Sequence, residues 1–199
     1  MSAVFWGVVI AVGVLVLSFW NSRFRGRRKF VRNYTFPAGL PAAIADERPE
    51  LREEQIEEVI SGLRRFFQLR LLAARVPVVL PSRAVEVAWR SFAALDEEGY
   101  RDFCKGAFGK VIRPMEAVPM NRKPQGGLKR LWWLDCLQEG RDDGRPSKLP
   151  PLFALDRKLG LSDGFRYSMD CPPPEGEFCA RDLMPRKSSG AALDAETGE

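Results

Sequence analysis

Apolar residues run from Ala3 to Trp20, eighteen positions without a charge and with Ser18 as the one hydroxyl. Such a run predicts a membrane helix roughly 27 Å long, close to the thickness of a bilayer's hydrocarbon core. Trp6 and Trp20 stand near its two ends, where indole rings favour the membrane interface. Arg23, Arg25, Arg27, Arg28, Lys29 and Arg32 follow, with no acid among them. Short flanks rich in Lys and Arg stay on the cytoplasmic side. The pattern therefore predicts a single-pass anchor, residues 1–22, in the inner membrane, with the N-terminus outside and the remainder cytoplasmic. A cleaved signal peptide would need a positive stretch ahead of the apolar core and a small-residue cleavage site, and Ser18-Phe19-Trp20-Asn21 is a poor one.

Beyond the anchor the periodicity changes. Residues 23–48 read as a basic juxtamembrane segment and linker. Pro37, Gly39 and Pro41 mark an extended connector, and Pro41 opens a short helix over 42–46. A helical cytoplasmic domain is expected over 49–170. Its clearest helix, about 51–74, repeats Ile56, Val59, Ile60, Leu63, Phe66 and Phe67 at helical intervals, with Glu53, Glu54, Glu57 and Glu58 early and Arg64, Arg65 and Arg70 late, matching the helix dipole. Ser82 caps a helix over 83–95 and Asp96 caps another over 97–112. Helices over 128–138 and 152–159 follow, ended by Gly140 and Gly160, and of the adjacent Trp132 and Trp133 only one can face the core. Val78 to Leu80, between Pro77 and Pro81, is an extended connector, and 114–125 and 141–151 are polar loops. From 171 to 199, prolines, mixed charges and small residues predict a disordered tail. The expected class is all-α: one transmembrane helix, a small helical domain and the tail.

Charge refines this picture. The net charge is +5, but six of the 31 cations lie between Arg23 and Arg32, leaving 25 against 26 acids. The basic character is thus a property of the collar and reads as a topogenic, lipid-facing signal; no nucleic-acid partner is expected.

Histidine is absent. Ser-His-Asp and Cys-His catalysis, His-ligated zinc and His-ligated haem are therefore excluded. Gly126 and Gly127 belong to neither a phosphate-loop nor a dinucleotide pattern, and no cofactor is expected. The four cysteines, Cys104, Cys136, Cys171 and Cys179, lack the paired knuckles of a zinc site, so no metal is expected either. In a cytoplasmic domain they should be reduced, with Cys104 and Cys136 as small core residues.

Leu80-Pro81-Ser82-Arg83-Ala84-Val85-Glu86-Val87-Ala88-Trp89, then Tyr100-Arg101-Asp102-Phe103-Cys104 and Ala107-Phe108-Gly109, together with Pro146 to Asp156 and Gly164 to Tyr167, make a recurring set of words. The set resembles a group of uncharacterised bacterial proteins called glycine-rich domain-containing-protein-like. That group brings no activity, and the resemblance implies fold. Its members typically carry a histidine directly after the tryptophan, where this chain has Arg90 after Trp89.

Three functional readings follow. One is a protein-interaction or scaffolding role at the membrane, which implies a protein partner and leaves oligomeric state open. Another is an enzyme-like acidic pocket drawing on Asp96, Glu97, Glu98 and Asp102, with Cys104. The third is a thiol sensor built on Cys171 and Cys179.

Overall fold

The computed structural model describes residues 3–74, 76–120, 126–144 and 146–185. Among these, seven α-helices form: α1 (Ala3–Asn33), α2 (Leu40–Glu47), α3 (Glu53–Leu72), α4 (Arg83–Leu95), α5 (Glu97–Phe108), α6 (Gly126–Gln138) and α7 (Pro151–Leu159). The all-α class holds. The one sheet is a parallel pair of two-residue strands, β1 (Tyr167–Ser168) and β2 (Phe178–Cys179), followed by a 3-10 turn over Ala180–Leu183.

α1 departs from the expected division into anchor and linker. It continues as one helix for 31 residues, about 46 Å, so the cationic collar is helical. A hydrocarbon core takes up about 20 residues of a spanning helix, so α1 is longer than a crossing requires. Val8, Ile10, Leu15, Leu17 and Phe19 are exposed along the first part, whereas Val31 near the end is fully buried. One helix thus has an apolar surface bare of protein at one end and a core position at the other.

α3 is the central helix of the body, with α1, α2, α4, α6 and α7 packed around it. Phe66, Phe67, Trp89, Phe92 and Phe103 are all buried and meet ring to ring, Phe67 to Phe103 at 5.0 Å and Phe66 to Trp89 at 5.2 Å between centroids. Gly62 marks the closest approach of α3 to α7: a Cβ there would lie 2.7 Å from Leu155 Cδ2. The sharp corner between α4 and α5 is made by Asp96, whose carboxylate accepts from Gly99 N–H at 2.9 Å. α5 stops at Gly109, in the left-handed region at φ +75°, rather than running to Ile112.

Buried carboxylates fasten these helices to one another. Asp156 of α7 accepts from Ser82 Oγ (2.5 Å) and from the backbone N–H groups of Arg83 (2.8 Å), Ala84 (3.2 Å) and Phe165 (2.9 Å). It therefore saturates the start of α4, where orphan amides and the positive end of the dipole favour an anion. Asp135 of α6 does the same for α7, accepting from Leu152 N–H at 3.0 Å and from Arg65 Nε. Glu86 of α4 accepts from Ala117 N–H at 3.0 Å and pins the loop that follows α5. That loop, expected as polar, buries Ala117 and Met120; residues 121–125 lie outside the described part.

The boundary placed at Cys171 falls inside a packed segment. Ala180 and Leu183 are buried, and Tyr167 pairs with Phe178 across the two strands. Cys171 and Cys179 are bonded to each other, against the expectation of four reduced thiols; Cys104 and Cys136 are free and buried. Ala180 and Leu183 join the core and their turn packs against α6, a role that the Pro-rich composition before them obscures. Residues 186–199, including Arg186-Lys187-Ser188-Ser189, lie outside the described residues.

Asp156→Ala leaves four donors without their acceptor and should destabilise the body by about 3 kcal/mol, whereas Ser82→Ala, which removes one cap, should cost about 1 kcal/mol. Chemical unfolding of the detergent-solubilised chain, followed by tryptophan fluorescence, measures both. Equal effects would contradict the hub role of Asp156.

Candidate functional site at the joint of the long helix and the body

The last turns of α1 enter the body through three contacts. Val31 seals against the core. Phe30 stacks on Phe103 at 6.0 Å, and Tyr34, just past the helix, lies 4.5 Å from Phe103 and 5.4 Å from Phe36. On α5, Gly106 and Gly109 form a notch that admits α1. A Cβ at Gly106 would stand 3.0 Å from the Phe30 ring, and one at Gly109 would stand 2.7 Å from Arg27 Nη2.

Arg64 of α3 completes the joint. Its Nη1 lies within donating distance of the carbonyls of Val31 (3.2 Å), Arg32 (3.0 Å) and Tyr34 (2.6 Å), and its guanidinium sits 4.9 Å from the Phe36 ring centroid. A cation at a helix C-terminus meets the negative end of the dipole and satisfies carbonyls that have no partner within the helix. Burial lowers its pKa from the ordinary arginine value.

Two open clefts flank the joint, each of about 390 Å³. One lies between α3 and α7, floored by Gly62, Leu152 and Leu155 and walled by Arg64, Arg65 and Gln68, with Glu58 and Lys158 paired at 2.6 Å on its rim. The other is bounded by Arg25, Arg28, Lys29 and Arg32 of α1 and, opposite them, Gln68 and Gln138.

Arg65 ties the neighbouring elements together. It reaches Asp135 through Nε and Glu139 through Nη1 at 2.8 Å, and Asp135 is fully buried. Burial pushes the Asp135 carboxyl above the usual carboxylate range, opposed by the adjacent Arg65.

The residues singled out by sequence fall into separate places. Trp6 and Trp20 are exposed on the apolar part of α1; Arg23, Arg25, Arg28 and Lys29 are exposed beyond it, and Arg27 is half-buried at Gly109. Trp89, Tyr100, Phe103 and Cys104 are all core. Trp89 Nε1 donates to the Tyr100 hydroxyl at 2.8 Å, which donates to Ile112 O at 2.6 Å, and burial holds the Tyr100 phenol well above its ordinary pKa. Arg90 is exposed and pairs with Glu47 of α2 at 2.8 Å and, at 3.8 Å, with Glu86.

The words of the recurring set meet as structure: Ser82 and Asp156 are hydrogen-bonded, and Trp89 joins Tyr100. Asp96, Glu97, Glu98 and Asp102 are exposed and line neither cleft, which removes the case for an acidic pocket built from them. Cys104 is enclosed in the core and Cys136 has its thiol pushed up to about 12, chiefly by burial, so neither is poised as a nucleophile. Among the described residues no three Cys, Asp or Glu side chains converge as a metal-ligand set. Trp132 is the buried member of the tryptophan pair, its Nε1 donating to Asp143 O at 3.1 Å, and Trp133 is exposed.

Sequence reading placed Arg64 only as a late base of its own helix and Asp156 only as the end of a recurring word, and it passed over Asp135, Gln68 and Gln138. A signal existed for the two aspartates, because each interrupts an apolar stripe: Leu131, Trp132, Leu134, Asp135 and Leu152, Phe153, Leu155, Asp156. A carboxylate at an inward position requires a buried donor. Nothing local marked the glutamines.

The architecture defines an uncharacterised class: a helical body built onto one helix long and apolar enough, over Val8–Asn33, to cross a membrane. Residues 26–183 match the UCP032817-like family, and the chain belongs to it. The match starts within α1 and stops at Leu183, the last residue of the 3-10 turn. It does not bear out the narrower glycine-rich-domain name that the words resembled. No curated protein and no solved structure matches the chain.

Arg64→Ala should uncap α1, costing about 1–2 kcal/mol and speeding amide exchange over 30–34 relative to α3. Unchanged exchange there would contradict the capping role. A pH effect is expected where Arg48 binds Asp163 through two hydrogen bonds of 2.8 and 2.7 Å, which hold the Asp163 carboxyl below the usual carboxylate range. A depressed folded pKa gives stability that is present above the unfolded value, about 4, and is lost as pH falls through the folded value. The difference in thermal midpoint between the native chain and Arg48→Gln should therefore shrink on acidification below about pH 4.

Proposed function

We propose that this is a membrane-anchored helical protein whose body is held in a fixed attitude at the cytoplasmic face of the inner membrane and acts there by binding another protein. The observation that carries the reading is the continuity of α1, exposed and apolar at one end and built into the core through Val31 and Arg64 at the other. A flexible tether would leave the body free to tumble, whereas this joint couples its orientation to that of the helix. The same continuity favours retention of the apolar segment over cleavage near Trp20, and the cationic collar favours the cytoplasmic side.

Trp133 and Leu137 stand one turn apart and exposed on α6, and they supply the apolar contact for the partner. The exposed acids Asp96, Glu97, Glu98 and Asp102 leave the enzyme-like alternative without its pocket.

The bonded pair Cys171 and Cys179 supports a second reading, a thiol-based sensor in the segment that carries β2 and the 3-10 turn. Such a bond is uncommon in a reducing compartment unless it cycles.

Removing residues 1–22 should move the chain from the membrane to the soluble fraction, and a reporter fused after residue 199 should be active inside the cell and silent outside. Unchanged fractionation or an outside signal would end the anchored reading. In-cell crosslinking should recover a defined partner that is lost in Trp133→Ala/Leu137→Ala with no change in thermal midpoint. Thiol trapping should show a redox-dependent fraction of Cys171 and Cys179, and a constant fraction would retire the sensor.

A further inference from the structure

The four cations lining the second cleft occur at positions i, i+3, i+4 and i+7 of α1 and so share one helix face. Like charges at this spacing repel, and among the described residues no acidic side chain lines the cleft to offset them. Arg27, by contrast, is turned to α5 at Gly109, so the collar divides into one residue used in packing and a set left facing a gap.

Across the gap stand two carboxamides. Gln138 Nε2 donates to Gln68 Oε1 at 2.8 Å, which fixes the pair and leaves the Gln68 amide hydrogens available to an incoming oxygen. A concave site with four cations on one wall and a neutral donor on the other is complementary to a multi-oxygen anion.

Depth narrows the class of anion. Arg25 and Arg28 follow Trp20 by about 8 and 12 Å of helix, which places them at the headgroup layer when Trp20 marks the interface. Lys29 and Arg32 lie one turn deeper into the body and reach back along the same face.

We infer that this cleft binds the phosphate of an acidic phospholipid headgroup, held by Arg25, Arg28, Lys29 and Arg32 with Gln68 as a neutral donor. A bound phosphodiester bridges α1 to α3 and α6, so lipid composition sets how firmly the body is seated. The inference rests on the anchored reading for its lipid source and not for the chemistry of the site.

The test uses the full chain in a non-ionic detergent, titrated with phosphatidylglycerol, phosphatidylcholine or inorganic phosphate and read by native mass spectrometry. Phosphatidylglycerol should bind at least about tenfold more tightly than phosphatidylcholine, and Arg28→Gln/Lys29→Gln/Arg32→Gln should abolish that preference, while Lys129→Gln/Arg130→Gln, on exposed cations of α6, should keep it. Gln68→Glu, which places an anion opposite the cations without altering the collar, should also abolish it.

Inorganic phosphate that displaces the lipid supports recognition of the phosphate group itself. Phosphate binding without phosphatidylglycerol preference overturns the lipid assignment. Equal affinity for the two lipids, or a preference that survives both the triple variant and Gln68→Glu, overturns the site. Fractionation of the intact chain decides the anchored reading separately, because the titration in detergent does not depend on where the chain resides.

Discussion

Arg64 closes the C-terminus of α1 and, in doing so, joins an apolar helix that is bare of protein to a packed body. The first part of α1, long and apolar enough to cross a membrane, exposes valine, leucine and phenylalanine, and its last turns bury Val31 and stack Phe30 on Phe103. A helix ending at this depth in a core needs its free carbonyls satisfied. The Arg64 Nη1 group lies within donating distance of two of them, at Val31 and Arg32, and of the Tyr34 carbonyl just beyond the helix, while its guanidinium lies on the Phe36 ring. The seating of the long helix and the fold of the body are for this reason a single problem.

The body repeats the same device with the opposite sign. Asp135 closes the start of α7 and Asp156 closes the start of α4, each fully enclosed and each reaching amides of an element distant in sequence. A buried carboxylate is costly unless hydrogen-bonded, and these receive helix-start amides, where the dipole adds to the hydrogen bonds. The aromatic cluster of Phe66, Phe67, Trp89, Phe92 and Phe103 supplies the larger share of the burial, and the carboxylates specify which helix end meets which neighbour. The words Leu80 to Trp89 and Pro146 to Asp156 are explained by this architecture, since they supply the donor and acceptor of the same junction.

The proposed function draws on residues that neither the core nor the caps use. The core consumes Tyr100, Phe103 and Cys104, and capping consumes Asp96, Asp135 and Asp156. What remains outside these roles is a row of cations on α1 with a pair of glutamines opposite and, among the described residues, no acid in their cleft, and an exposed Trp133 and Leu137 on α6. The two proposals made above, for an anion and for an apolar partner surface, rest on these residues.

By itself the sequence determined the helices, their buried stripes and the membrane-spanning candidate. Each rests on periodicity or on a contiguous run, which are properties of neighbouring residues. The caps Ser82, Asp96 and Gly160 were legible for the same reason, since donor and acceptor lie within one turn. Tertiary structure alone decided that the collar is helix rather than linker, that 171–183 belongs to the body, and that the clustered acids face water. It also decided which backbone receives Asp135 and Asp156, and it set Gln68 and Gln138 against the cations of α1. Each of these depends on groups brought together from other elements, 17 positions apart for Asp135 and Leu152 and 73 for Asp156 and Arg83, or on burial by another element, and no local pattern encodes where a distant amide or carbonyl comes to rest.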